Sequence, residues 1–204
     1  SLGTGLQLRS KKDVSLDTNA SMLWDGTDDE ITTSADSTLA TKTYSFWAKS
    51  SHTGRNPIFN HGALTIGSFY FNYSNSRPQL IMSSQSDIFW NDTSAQDDGN
   101  WHHWVVLIVA NDITSCELWC DGIKQTKFAT TNNGSMSAYT RGIQFGANTN
   151  NSHYFTGSLD EFAIFDGDQS ALVDELYNNG RPTNLLQYST LDHWYRMGEG
   201  VLGA

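Results

Sequence analysis

Short apolar runs with alternating polar positions recur along the chain, separated by clusters of Gly, Asn, Asp and Ser. This is the pattern of antiparallel strands joined by turns. It predicts strands at Leu6–Leu8, Met22–Trp24, Tyr44–Ala48, Ile58–Asn60, Ala63–Ile66, Phe69–Tyr73, Gln79–Met82 and Asp87–Trp90. Further strands are predicted at Trp101–Ala110, Ser115–Cys120, Ile123–Phe128, Gly142–Phe145 and Gly157–Phe165. So many strands with short connections point to an all-β fold of two packed antiparallel sheets. Asp121-Gly122 predicts a two-residue hairpin, because a type I′ turn needs positive φ at both central positions. One helix is predicted at Ser170–Asn179, where Ser170 is placed to cap, Leu172 and Leu176 share a face, and Gly180 before Pro182 ends it. The Ser/Asp/Thr-rich stretch Thr32–Thr43 reads as a loop.

Composition sets the size and the partners. The 204 residues with 38% hydrophobic content fit one all-β domain. Residues 1–20 are expected to be an N-terminal extension or first strand and 21–180 the core. Residues 181–204 are expected to be a tail that returns to the sandwich or leads to a flank. Seven Trp supply large side chains for burial. A formal charge of −10 opposes phosphate neutralisation and argues against nucleic acid as a partner. The longest apolar run, Trp104–Ala110, falls far short of the ~20 residues of a spanning helix, so no membrane insertion is expected. Cys116 and Cys120 lie four apart in one predicted strand, about 13 Å between Cα atoms. A disulfide needs roughly 4.4 to 6.8 Å, so both are expected to be free thiols, which favours a reducing compartment.

Several phrases, in order, resemble the concanavalin-A-like, laminin-G-like jelly-roll domains of bacterial and phage proteins. They are Leu23-Trp24-Asp25-Gly26-Thr27-Asp28-Asp29-Glu30-Ile31, Tyr44-Ser45-Phe46-Trp47-Ala48-Lys49 and Gly99-Asn100-Trp101-His102-His103-Trp104-Val105. Leu118-Trp119-Cys120-Asp121-Gly122 and the closing run Phe155 to Phe165 come after them. The resemblance covers Leu23 to Gly180 and implies a two-sheet jelly roll with one short C-terminal helix. The fold hosts lectins, adhesion modules, enzyme accessory domains and virion proteins, so it implies no single function. The tail Trp194-Tyr195-Arg196-Met197-Gly198-Glu199-Gly200 resembles a phrase found after this domain in tailed-phage structural proteins.

The resemblance also implies a structural calcium ion near Asp25, Asp28 and Asp160, since hard carboxylate oxygens at converging loops are what Ca²⁺ requires. Asp-Gly-Thr-Asp is equally an ordinary turn whose side chains bond local backbone. Strict alternation puts Asp160 on the face of Phe162 and Ile164, and Glu161 on that of Ala163 and Phe165. His102 and His103 are adjacent and face opposite sides, so one is expected to be buried and hydrogen-bonded; no histidine is assigned a catalytic or zinc role. Glycan-cleaving enzymes of this fold resemble one another in a Glu-x-Asp-x-Glu or Glu-x-Asp-x-x-Glu strand, and this sequence has neither. Aromatics with nearby amides at Trp90-Asn91-Asp92, Phe69–Tyr73 and Asn148–Tyr154 are candidates for a sugar-stacking platform.

The expectation is a non-enzymatic structural or binding module. Its first form is a tailed-phage virion protein, a capsid decoration or fibre-associated subunit assembled in the host cytoplasm through other virion proteins or self-association. The alternative is a glycan-binding accessory module of a secreted or surface bacterial protein, extracellular and bound to cell-surface glycan.

Overall fold

The alternating runs pair into two seven-stranded antiparallel sheets plus a small two-stranded one. The computed structural model describes residues 21–33, 37–38, 41–61, 67–74, 76–83, 86–110, 112–131, 140–148 and 150–197. The predicted strands Leu6–Leu8 and Ala63–Ile66 lie outside these described residues. In chain order the described strands are β1 (Met22–Asp25), β2 (Ile31–Thr32), β3 (Ser37–Thr38), β4 (Lys42–Lys49), β5 (Asn56–Asn60), β6 (Ser68–Ser74), β7 (Arg77–Ser83) and β8 (Ser86–Trp90). After these come β9 (Trp101–Ile108), β10 (Glu117–Cys120), β11 (Ile123–Lys124), β12 (Lys127–Thr131), β13 (Thr140–Arg141), β14 (Gln144–Phe145), β15 (Thr156–Asp166), the helix α1 (Val173–Tyr177) and β16 (Leu191–Tyr195).

Sheet A has the order β1-β15-β4-β9-β10-β11, with β16 also beside β15, and sheet B the order β12-β8-β7-β6-β5-β14-β2. The inner faces bring together Phe46, Phe59, Phe69, Phe71, Trp104, Phe145 and Phe162, all essentially inaccessible. Their rings meet as stacked and edge-on pairs, such as Phe46 on Phe162 at 5.3 Å and Phe145 on Phe162 at 4.7 Å between centroids. Aromatic pairs of this kind add ~0.5–1.5 kcal/mol each beyond the area they bury.

Among several irregularities in pairing, two depart from the expected strands in ways that matter here. The predicted strand Ile123–Phe128 is two strands in different sheets, because β11 stays with β10 while β12 joins β8. Gln125 and Thr126 make the crossing, tied at both ends by Gln125 N–H to the Leu118 carbonyl (2.8 Å) and Asn91 N–H to the Thr126 carbonyl (2.9 Å). Strand β15 carries a bulge between Asp160 and Ala163, with Glu161 at φ 49°. A bulge adds one unpaired residue, so Leu159 and Phe162 both reach the inner core. The expected face of Asp160 is therefore corrected: it pairs with Trp47 on the outer side of sheet A, away from Phe162 and Ile164.

Strand β16 pairs with β15 beyond the bulge, on the edge that β1 occupies before it. Lys42 fastens this junction, its ammonium donating to Asp166 and, at 2.7 Å, to Asp192. Burial works against its charge, yet the two carboxylates outweigh burial and raise its pKa. The predicted helix is shorter than expected, a 3₁₀ turn at Ser170–Leu172 leading into α1. Ser170 does not cap it; Asp168 accepts the Ser170 N–H at 2.8 Å, and Asn178 in the left-handed region (φ 45°) ends it. Val173 and Leu176 pack with Val105, Leu107 and Trp119 in a second core, which covers much of the outer face of sheet A.

Candidate functional site

Sheet B has two faces of different chemistry. Phe69, Phe71, Leu80, Met82, Ile88 and Trp90 point inward, so alternation turns Ser68, Tyr70, Gln79, Ile81, Asp87 and Phe89 outward. Cross-strand register then sets two outer rows, Tyr70–Gln79–Phe89 and Ser68–Ile81–Asp87–Thr131. Asn60 and Gln144 extend this face on β5 and β14, where Asn60 Nδ2 donates to Gln144 Oε1 (3.0 Å) and to the Ala147 carbonyl (2.7 Å). At the other end the Arg77 guanidinium lies 3.8 Å over the exposed Phe128 ring.

Two side chains on this face are buried with hydrogen-bonding capacity left over. Gln79 and Ser68 are fully inaccessible; Ser68 Oγ reaches no partner in hydrogen-bond geometry among the described residues, and the Gln79 amide has the Asp87 carboxylate beside it as a loose partner. An unsatisfied buried polar group costs ~1–3 kcal/mol; the core shows the same feature at the Trp24, Trp90 and Trp104 indole nitrogens, so on sheet B it is the clustering of Ser68 and Gln79 on one face that is distinctive. The neighbouring Asp87 has its pKa raised by burial, and the nearby Gln79 amide opposes that rise. The arrangement gathers an amide and a hydroxyl, both out of contact with solvent, beside the buried Tyr70 ring and the half-buried Phe89 and Asp87 side chains. That is what a ligand bearing several hydroxyls and an apolar ring face requires.

A second group forms where β9, β10 and the loop after β8 meet. His102 Nδ1 lies 2.6 Å from Asp121 Oδ2, and its Nε2 lies 3.2 Å from Asp98 Oδ2. Burial opposes its charge, but the two carboxylates outweigh it and raise its pKa. Asp121 Oδ1 accepts the His103 N–H at 2.9 Å. A His102 ring nitrogen, the Cys120 sulfur and an Asp121 oxygen all lie within 4.8 Å of one another. His103, on the other face, is buried against Ser45 Oγ at 2.8 Å, and burial lowers its pKa to about 3. Trp101, beside this group in sequence, is 39% exposed, whereas Trp24, Trp90 and Trp104 are buried in the core.

The structure scatters the residues that the sequence singled out. Asp25 Oδ1 accepts the Thr27 N–H (2.7 Å) and Asp29 Oδ2 accepts the Asp25 N–H (3.1 Å), which is turn chemistry; Asp28 is exposed in the same loop. Asp25 pairs with Thr156, four residues before Asp160 and thus roughly 13 Å from it along the strand. The structure therefore does not bring Asp160 to Asp25 and Asp28, and the three do not fit one ion. Asp160 Oδ1 accepts the Glu161 N–H at 2.8 Å, and Glu161 accepts from Trp194 Nε1 at 2.5 Å and Arg196 Nε at 3.4 Å. The sugar-stacking candidates are mostly core: Trp90, Phe69 and Phe71 are buried, and Asn72 is bonded to the His52 carbonyl and to Gln96. Alternation alone marks Gln79 and Ser68 as outward, but it cannot show that they are buried.

A family model described as the Concanavalin A-like lectin/glucanases superfamily, of laminin-G type, matches residues 25–172. The chain belongs to this family. No curated protein matches by sequence. Among solved structures, the chain is similar to a heptameric SAP-like pentraxin from Limulus polyphemus, at 14% identity and a TM-score of 0.58 over 80% of this chain and 84% of that one. It is also similar to a candidate carbohydrate-binding protein from Bacteroides ovatus, at 11% identity and a TM-score of 0.62 over 87% of this chain and 51% of that one. The binding domain of botulinum neurotoxin DC, in complex with SialylT, aligns at 13% identity and a TM-score of 0.54 over 80% of this chain and 46% of that one. The chain thus spans about half the length of these last two. At such identities the likeness is one of fold: the lectin-like sandwich of the concanavalin A-like superfamily, with its two antiparallel sheets and late short helix.

Proposed function

We propose that this concanavalin A-like domain is a non-enzymatic glycan-recognition module that takes a hydroxyl-rich ligand on the outer face of sheet B. The observation that carries the reading is the buried polar group Gln79, Ser68 and Asp87 on this face, in which Ser68 Oγ meets no partner among the described residues and the Gln79 amide meets only Asp87 loosely. Sugar hydroxyls both donate and accept and so satisfy an amide and a serine together, while the half-buried Phe89 offers a ring edge beside them. The carbohydrate-related proteins among the structural relatives support the ligand class. An array of immobilised glycans tests it: binding to at least one class, weakened about tenfold by Ser68→Ala, is expected. No binding on a broad array, by a correctly folded protein, contradicts the reading.

A second reading, a tailed-phage virion subunit, is favoured by two buried free thiols, Cys116 and Cys120. They suit assembly in a reducing cytoplasm. The resemblance of the tail to phage structural proteins points the same way. Ordered copies on a capsid or fibre, seen by electron microscopy of virions, support this reading, and a monomer with no virion partner counts against it. A structural calcium on Asp25 and Asp28 without Asp160 is supported if millimolar Ca²⁺ raises the unfolding midpoint and Asp28→Asn removes the rise; no shift sinks it.

A further inference from the structure

We propose that His102, Cys120 and Asp121 form a binding site for a zinc-type divalent transition-metal ion. The three donors come from β9, the end of β10 and the hairpin turn, and they lie within 4.8 Å of one another. A tetrahedral zinc with bonds of about 2.0–2.3 Å places its ligand atoms roughly 3.3–3.8 Å apart. Side-chain rotations of about an ångström are therefore enough: His102 Nδ1 and Asp121 Oδ2, now 2.6 Å apart, separate slightly, and the sulfur closes on both.

The surrounding hydrogen bonds hold the donors in the right roles. Asp121 Oδ1 is already engaged by the His103 N–H, which leaves Oδ2 as the ligating oxygen. Asp98 stands 3.2 Å from His102 Nε2, so the ring can present Nδ1 to the ion while Nε2–H keeps a carboxylate partner. Such an outer carboxylate is what fixes the tautomer of a ligating imidazole. A donor set of one imidazole nitrogen, one thiolate and one carboxylate suits zinc or cobalt and does not suit Ca²⁺ or Mg²⁺, which take oxygen. Binding releases the Cys120 thiol proton to solvent, and with three protein ligands a water completes the tetrahedron. The His102 and Asp121 side chains are 17% and 29% exposed while Cys120 is buried beneath them, so an ion enters from the His102–Asp121 side and meets the sulfur last.

The sequence hides this site because His102 is 18 and 19 positions from Cys120 and Asp121, a separation that only the β9–β10 register closes. The reading is independent of the glycan face, which lies on the other sheet.

The test uses the whole chain, stripped of metal and titrated with Zn²⁺ and then with Co²⁺ as an optical probe. The expected result is one ion per chain, a higher unfolding midpoint with Zn²⁺, and a thiolate-to-cobalt charge-transfer absorption. Cys120→Ser is expected to abolish that absorption, and Asp98→Asn to weaken zinc binding about tenfold or more, in line with loss of an outer partner. Cys116→Ser, in the same core but away from the histidine, is expected to leave both unchanged. Less than stoichiometric Zn²⁺ after dialysis, or a thiolate band that survives in Cys120→Ser, overturns the proposal. Should Cys120→Ser unfold, Asp98→Asn and the absorption of the native chain still decide it.

Discussion

His61 shows how a single buried side chain sets a pH limit on this fold. It is 2% exposed, takes the Tyr44 hydroxyl on Nε2 at 2.6 Å, and has its pKa lowered to about 4, first by burial and then by the Lys42 charge. A folded pKa below the unfolded value of ~6.5 means that the contribution is fully present above pH ~6.5 and is lost as pH falls towards 4. Urea unfolding between these limits is expected to lose on the order of 3 kcal/mol through His61, and His61→Gln is expected to flatten that slope. A slope equal to that of the native chain contradicts the assignment. Gly146 sets a limit of another kind: at φ 78° its missing side chain leaves room for the Trp24 ring, whose atoms would stand 2.1 Å from a Cβ. Gly146→Ala is expected to lower stability by about 2 kcal/mol or more, read as a fall in the denaturation midpoint. At this scale the sequence is only partly legible. The outward direction of Gln79 follows from alternation, but its burial depends on what lies over the face. The tightness at Gly146 comes from a ring 122 residues away.

Among elements, period two identifies most described strands and fails where geometry changes within a run. The bulge in β15 lets one strand hold β4 along one edge and both β1 and β16 along the other. No composition signal marks it, because Asp160-Glu161 looks like ordinary alternation until Leu159 and Phe162 both turn inward. The crossing at Gln125-Thr126 is equally silent, since β11 and β12 are adjacent in sequence and part company only through their partners. By contrast the Asp121-Gly122 turn is fully legible: φ values of 50° and 78° are what its two residue types favour. The short helix is legible in place but not in its cap, because Asp168, two residues earlier, does the work expected of Ser170. The Lys42 junction joins β4, β15 and β16. Lys42→Ala is expected to cost about 1.5–3 kcal/mol and to leave β16 more open to amide hydrogen exchange. Unchanged exchange in β16 contradicts its role as a fastening.

For the whole molecule, the two faces of sheet A are both occupied, one by the central core and one by α1 and the C-terminal tail. The outer face of sheet B is different, carrying buried amides, a serine and a carboxylate beside aromatic rings, with Ser68 Oγ lacking a partner among the described residues. The order of the family phrases makes the sandwich readable from sequence; the site is not, because it is assembled from single residues on several strands. If this face is a ligand site, its unpaired groups are a stability cost retained for binding. The measurement that tests this most directly pairs thermal unfolding with calorimetric titration of an array-selected glycan, for the native chain and for Gln79→Leu. The account predicts that Gln79→Leu is as stable as the native chain or more so, by about 1 kcal/mol, while its glycan affinity falls at least tenfold. A variant that is destabilised yet binds with native affinity would show that Gln79 serves the fold and not the ligand.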